Sequence, residues 1–188
     1  CVPKERRESA IYAKAIEGKK KWASEALRNS GTVGKLAYYR SKPAGLLQFE
    51  LVKQGSMIRI HCIYVPDDQH WRKGIATRLL SALLDEAKGS TSWFGGSPPN
   101  GIVTKVFSGE KPGQYPARLF FKRFGFLQVG DDPDELFLPL RNNATYKPPE
   151  EVAPNYIPNE EDKGRAVMLY RPSFCPFSYV FLRNAEGL

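Results

Sequence analysis

The stretch that decides the fold lies between residues 63 and 77 and reads Ile63-Tyr64-Val65-Pro66-Asp67-Asp68-Gln69-His70-Trp71-Arg72-Lys73-Gly74-Ile75-Ala76-Thr77. A strand pattern runs into a loop with two adjacent basic residues, and a glycine then opens an amphipathic helix. The N-terminus of a helix carries unpaired N–H groups and a partial positive charge, so it attracts phosphate. The pattern therefore predicts a diphosphate cradle without a Walker-type lysine motif. The alternative is a surface turn that leads into a core helix.

The segments on either side of this stretch alternate between helical and strand periodicity. Residues 74–88 have apolar side chains at helical spacing, with Gly89 at the predicted C-cap. Upstream, residues 33–39, 46–52 and 58–65 are rich in β-branched and aromatic side chains. The turns between them, at 41–43 and 54–56, are short, which predicts an antiparallel meander. Residues 4–30 predict two helices that are separated at Gly18.

The downstream segments complete an α/β pattern, with a mixed, mostly antiparallel sheet flanked by helices. Strands are predicted at 102–107, 126–129 and 136–140, and a short helix at 117–124. We expect a main domain over residues 1–141 and a proline-rich, acidic linker over 142–163. Residues 164–188 form a C-terminal extension, with a strand predicted at 166–170 and a helix at 178–185.

Composition favours a soluble globular protein. Of the 188 residues, 41% are hydrophobic and 26% charged, and no stretch approaches the roughly 20 apolar residues that cross a bilayer. The three cysteines, Cys1, Cys62 and Cys175, are far apart, which argues against a disulfide framework and predicts no metal site. A reducing, cytoplasmic location is expected. Nucleic-acid binding rests on the net charge of +8 alone and is not expected, because a solvated basic face is the favoured explanation of that charge; an anionic cofactor would also suit it.

Two motifs, in this order of elements, resemble the GNAT acetyltransferases over residues 4–141. The first is the run from Val65 to Leu80, with Arg-Lys-Gly-Ile-Ala-Thr at 72–77. The second is Ala-Arg-Leu-Phe-Phe-Lys-Arg-Phe-Gly-Phe at 117–126, which is similar to the family's A-x-x-x-Y-x-x-x-G-F pattern. The resemblance implies the GNAT acyl-CoA N-acyltransferase fold, acetyl-CoA as co-substrate, and acetyl transfer to an amine by direct attack in a ternary complex.

The resemblance also implies where the cofactor lies. In the family, the strand that ends near Val65 splays away from the next parallel strand. Backbone groups at Ile63 and Val65 would bind the acetyl and pantetheine parts, and the N–H groups of residues 72–77 would hold the diphosphate. The implied cofactor-binding set is Ile63, Tyr64, Val65, Trp71, Arg72, Lys73, Gly74, Ile75, Ala76, Thr77 and Gln114.

Two positions depart from the family pattern. Trp71 stands three residues before Gly74, where the family usually has Arg or Gln. Phe121 corresponds to the common Tyr that protonates the leaving thiolate, and Phe has no proton to donate. Tyr115, a water molecule or an unassisted thiolate are the alternatives for that step.

The expected catalytic base is His61, with Glu50 on the neighbouring strand as the second candidate. Because alternate residues of a strand share a face, Arg59, His61 and Ile63 are expected to point one way and Cys62 the other. A structural histidine and a solvated glutamate are the competing interpretations. Arg59 is expected to form a surface ion pair or to attract an acidic substrate.

The tail carries a further resemblance. Cys175-Pro176, after a strand pattern, is similar to the start of the thioredoxin-like domain that follows the acetyltransferase domain in YoaP-like acetyltransferases. The leading hypothesis is an N-acetyltransferase with acetyl-CoA and an amine acceptor as its partners. A non-catalytic acyl-CoA sensor or scaffold and a redox-linked protein that acts through Cys175 are the alternatives. A homodimer is left open.

Overall fold

A computed structural model describes residue 2 and residues 4–89, 92–106, 114–146, 160–162 and 175–185. The contacts divide the chain into two compact units. The larger unit is Ala26–Pro148, and the smaller combines Cys1–Glu25 with Pro149–Leu188. The boundary at residue 141 that the sequence predicts stays a prediction.

The larger unit is built on one six-stranded mixed sheet. Its strands are β1 (Gly34–Tyr39), β2 (Lys42–Val52), β3 (Met57–Tyr64), β4 (Gly101–Lys105), β5 (Leu127–Gln128) and β6 (Glu135–Pro139), in the spatial order β1-β2-β3-β4-β6-β5. Among the strand pairs of the described residues, only the central β3–β4 pair is parallel, and the others are antiparallel. The predicted α/β class with a mixed, mostly antiparallel sheet is confirmed.

The turn between β1 and β2 differs from its sequence-based prediction. The strands close over Arg40 and Ser41, which have positive φ values of 48° and 64°. Two positive φ angles are typical of the type I′ turn, whose twist matches that of a hairpin. The strand β2 therefore begins at Lys42 and includes Pro43, four residues before the predicted start. The usual Asn-Gly signal is missing, so the sequence does not reveal this turn.

One face of the sheet packs against the helix α2 (Ile75–Gly89), and we call it the helix face. Side chains of β2, β3, β4 and α2 form its core, including Leu47, Phe49, Ile58, Ile60, Leu79, Leu80, Leu83 and Ile102, each at most 3% exposed. The short helix α3 (Ala117–Lys122) contributes Phe121 to the same core. Gly45 allows α2 to approach β2 closely, since a methyl group there would lie 2.7 Å from Ile75 Cγ2. The packing thus anchors the first turn of α2 against the sheet.

The smaller unit contains most of the helix α1 (Ala10–Ser30) and the helix α4 (Pro176–Ala185). The rings of Tyr12 and Phe177 meet edge to face, 5.9 Å apart. The predicted break at Gly18 is wrong, because α1 runs through it without interruption. One glycine costs a helix about 1 kcal/mol relative to Ala, and the strong helix formers around Gly18 offset that cost.

Most of the other predicted elements are confirmed within one or two residues, including α2, α3, β4 and β6. The helix predicted at 178–185 is confirmed and begins two residues earlier, at Pro176. The strand predicted at 166–170 and most of the predicted linker lie outside the described residues. Within the described part of the chain, no helix is long and apolar enough to span a membrane.

Candidate functional site

The parallel strands β3 and β4 separate at the centre of the sheet. Their pairing runs from Met57–Gly101 to Ile60–Thr104 and stops there. The hydroxyl of Thr104 donates to the carbonyl of Ile60 at 3.2 Å, at the last paired step. The strand β3 continues to Tyr64 with β2 as its pairing partner. Residues 61–64 therefore line the end of β3 where it leaves its parallel neighbour, the kind of place where open α/β sheets bind ligands.

A β-bulge at His61 changes which side chains face this splayed end. Gln48 pairs with Cys62 and the next residue, Phe49, pairs with Ile60, so His61 is an extra residue in β3. Directly paired antiparallel residues share a face, so Cys62 lies on the face of Gln48, opposite to the helix face. Ile63 instead packs against the helix-face core.

The bulge overturns two expectations that rest on simple alternation. Arg59 and Ile63 point to opposite faces, although the sequence predicts one face for both. Cys62 shares a face with Arg59 and Glu50, although the sequence predicts that it points away. An inserted residue shifts the period of two by one position, and the sequence of β3 alone does not indicate where the insertion falls.

Three ionisable side chains meet on the face opposite to the helix face. Glu50 Oε2 lies 3.3 Å from His61 Nε2, and Glu50 Oε1 lies 3.7 Å from Arg59 Nη1. The side chain of His61 is only 10% exposed, whereas those of Glu50 and Arg59 are 37% and 31% exposed. Both predicted base candidates are thus in contact, and a carboxylate bridges an imidazole and a guanidinium. Such an arrangement can orient the imidazole and accept a proton.

Tyr146 extends this polar group and was missed by the sequence analysis. Its hydroxyl donates to Glu135 Oε1 at 2.8 Å, and its ring stacks on Phe137. Burial, followed by the bond to Glu135, raises the pKa of Tyr146 above its ordinary value, and hydrogen bonding with Arg59 opposes that rise. Tyr146 lies inside the predicted linker at 142–163, and the proline content of that segment gives no reason to expect a site residue there.

Trp71 fixes the loop between β3 and α2. Its indole Nε1–H donates to the carbonyl of Val65 at 2.9 Å, which ties the loop to the end of β3. A 3-10 turn, Asp68–His70, precedes it, and the carboxylate of Asp67 caps this turn by accepting from the N–H of Gln69. The Trp at this position therefore has a structural partner within the loop.

The loop presents the first turn of α2 to solvent. Gly74 has φ +77°, and among the described residues no atom lies within 4 Å of where a methyl group on it would be. The first helical bond runs from the N–H of Arg78 to the carbonyl of Gly74 at 2.9 Å. The N–H groups of residues 74–77 consequently have no partner within the helix. Arg72 and Lys73 are exposed beside them.

The two remaining predicted positions lie around α3. Gln114 is half-buried just before that helix. Phe121 is 3% exposed in the core and packs against the rings of Phe120 and Phe126. Tyr115 is 47% exposed, with the guanidinium of Arg123 5.9 Å from its ring centre.

One buried polar residue had no place in the sequence-based site. Gln48 is 2% exposed, and its Nε2 has no hydrogen-bond partner among the described residues. An unsatisfied buried donor costs about 1–3 kcal/mol. In the sequence, Gln48 is a polar residue between the apolar residues Leu47 and Phe49, and this is the pattern that could have identified it as a site residue.

Comparison with known proteins agrees with this geometry at the level of family. Residues 4–126 match the model of the acetyltransferase (GNAT) family. No curated protein sequence matches the chain.

Solved structures with a similar fold include several acetyltransferases. A protein of Pyrococcus horikoshii OT3 is 20% identical, with 70% of this chain and 77% of that chain covered and a TM-score of 0.49. The ribosomal-protein-S18-alanine N-acetyltransferase of Escherichia coli is 19% identical (68% and 81% covered, TM-score 0.44). The PaiA N-acetyltransferase of Thermoplasma acidophilum, solved with coenzyme A, is 15% identical (69% and 77% covered, TM-score 0.43). At these identities and scores the likenesses carry no inference about substrate.

The family match spans about two thirds of the chain and includes the strand β3, the loop after it, and α2. These are the elements that form the splayed strand end and the exposed helix N-terminus. The chain belongs to the acetyltransferase (GNAT) family.

Proposed function

We propose that this acetyltransferase transfers the acetyl group of acetyl-CoA to an amine by direct attack in a ternary complex. The observation that carries the proposal is the first turn of α2. Gly74 with φ +77° opens that turn, and the N–H groups of residues 74–77 have no intrahelical partner. Such a turn, with Arg72 and Lys73 beside it, suits a diphosphate.

The splayed end of β3 is the proposed site of the thioester. The pantetheine arm would extend from the first turn of α2 along residues 63–65, where β3 no longer pairs with β4. The carbonyl of Val65 already accepts from Trp71, so its remaining lone pair and the neighbouring N–H groups are the groups proposed to bind the arm.

We assign the base to His61 and the positioning of its ring to Glu50. A carboxylate 3.3 Å from Nε2 favours the tautomer that carries the proton on Nε2, which leaves Nδ1 as the basic atom. His61 would take a proton from the ammonium form of the acceptor, and the neutral amine would attack the thioester carbonyl. Phe121 is buried and supplies no proton, so the thiolate leaves without help from this position.

The cofactor proposal is tested by calorimetric titration with coenzyme A. Lys73→Gln removes one charge beside the first turn of α2, and Lys88→Gln removes the same charge in the last turn of that helix. We expect the first variant to bind coenzyme A several-fold more weakly and the second to bind like the wild type. No heat of binding to wild-type protein at millimolar coenzyme A would refute the proposal.

The catalytic assignments are tested by thiol release with a panel of amines. We expect His61→Gln to lower kcat by about 10²- to 10⁴-fold, and Glu50→Gln to lower it less because the base is retained. Cys62 lies on the same face as Glu50, so Cys62→Ser tests direct attack. This variant should retain turnover, whereas an acetyl group trapped on Cys62 would establish a covalent route instead.

We also propose that the chain belongs to the YoaP-like group within this family. The support is the helix α4, which begins at Pro176 directly after Cys175, as the opening of a thioredoxin-like helix does. A Cys175→Ser variant that keeps acetyl transfer in vitro but loses the activity of the protein in cells would show that the tail has a role separate from that of the main site.

A further inference from the structure

Among the described residues, two polar side chains are fully buried, and they differ in one respect. Thr104 is 3% exposed, and its hydroxyl donates to the carbonyl of Ile60 at 3.2 Å. Gln48 is 2% exposed, and its amide Nε2 has no hydrogen-bond partner in the described part of the chain. Buried polar groups are almost always paired, so an unpaired one calls for an explanation.

The sheet register places Gln48 beside the proposed reaction site. Gln48 is the residue of β2 that faces the bulge, paired with Cys62 and next to the extra residue His61. It also lies two residues from Glu50 on the same face of the same strand. The side chain of Gln48 therefore lies on the face of the sheet that carries Glu50 and His61.

The chemistry of the unpaired group selects its ligand. A side-chain amide nitrogen donates hydrogen bonds and does not accept them, so it pairs with an oxygen acceptor rather than with an ammonium group. An acceptor molecule with a carbonyl next to its reacting amine brings both groups to the site together. A site built to bond such an oxygen discriminates strongly against a substrate that lacks it, because the buried donor then stays unpaired.

We propose that Gln48 determines acceptor specificity, donating from Nε2 to a carbonyl oxygen on the carbon next to the one that bears the reacting amine. The acceptor class is then an α-amino carbonyl compound, such as the amide of an amino acid or the N-terminus of a peptide. This inference rests on the proposed function and assigns the substrate class of the same site.

The test compares two amines of similar shape, glycinamide and isobutylamine, in the acetyl-CoA thiol-release assay. The variants are Gln48→Met, which keeps the length and removes the donor, and Thr104→Val as the matched buried control. We expect Gln48→Met to lower kcat/KM for glycinamide about tenfold, equivalent to 1.4 kcal/mol, mainly through KM. The value for isobutylamine should stay within about twofold. Comparing each amine between proteins cancels the difference in amine basicity.

The Tm of Gln48→Met provides a second readout, because a purely structural role of Gln48 would change it in the opposite direction. Gln48→Met should keep or raise Tm, since it removes a buried donor without a partner, whereas Thr104→Val should lower Tm and leave the ratio of the two amines unchanged. Equal losses for both amines, or a lowered Tm in Gln48→Met, would each overturn the inference. Failure of the proposed function would be distinct, because wild-type protein would then show no thermal shift with acetyl-CoA.

Discussion

Replacing Trp71 by phenylalanine removes one hydrogen-bond donor and leaves most of the aromatic ring in place. The lost bond joins the indole Nε1 to the carbonyl of Val65 at 2.9 Å. A neutral hydrogen bond contributes about 0.5–1.5 kcal/mol net. Val65 is only half-buried, so water can replace the indole and no further penalty for an unpaired carbonyl is expected. The loop that precedes Gly74 should therefore lose about 1 kcal/mol of its preference for the observed conformation.

This loss predicts a specific change in ligand binding. If the loop positions the first turn of α2 for a diphosphate, a loss of about 1 kcal/mol raises the Kd for coenzyme A by up to about fivefold, in proportion to the fall in the population of the observed loop conformation. Pantetheine has no diphosphate, so its Kd should stay unchanged. Calorimetric titration of both ligands against wild type and Trp71→Phe makes the measurement. An unchanged Kd for coenzyme A, or an equal weakening of both ligands, would refute the reasoning.

Three further predictions concern stability. Gly74→Ala should lower the free energy of unfolding in urea by about 1–2 kcal/mol, because a φ of +77° is unfavourable for alanine, while the added methyl group itself meets no described atom. An unchanged midpoint of urea unfolding would contradict this. Phe121→Tyr should destabilise by about 1–3 kcal/mol and should not raise kcat in thiol release, because the ring lies in the core; faster turnover would show that position 121 reaches the thioester. Hydrogen bonds from Lys105 and from the N–H of Asp134 hold the pKa of Asp132 below its ordinary value of 3.8. The ionised carboxylate of Asp132 therefore stabilises the fold above pH 3.8, and this stabilisation is lost as the pH falls through the lowered pKa. Asp132→Asn should therefore flatten the acid limb of a stability–pH curve, and an unchanged limb would argue against the interaction.

The local features of this protein could be read from the sequence. The period of the apolar residues in α2 predicts its length to within a residue at each end, and Gly74 predicts where it begins. These signals involve neighbours in the chain, whose spacing follows directly from helix geometry. Short connections likewise predicted the antiparallel meander, and the family match agrees with the motif at 72–77.

The arrangement of the candidate site depended on contacts between distant residues. The bulge at His61 arises from the pairing of β3 with β2, and it reversed the expected directions of Ile63 and Cys62. No local sequence pattern shows where a β-bulge inserts an extra residue into one strand of a pair, because the register is set by packing on both faces of the sheet.

The same reason applies to the individual contacts. Sequence alone determined that this chain has a glycine-initiated helix after a strand, with basic residues at the junction. Only the tertiary structure decided that Trp71 binds the carbonyl of Val65, that Glu50 meets His61, and that Nε2 of the buried Gln48 has no hydrogen-bond partner among the described residues. Helix start and period are properties of consecutive residues, whereas burial and hydrogen-bond partners depend on which strands lie side by side.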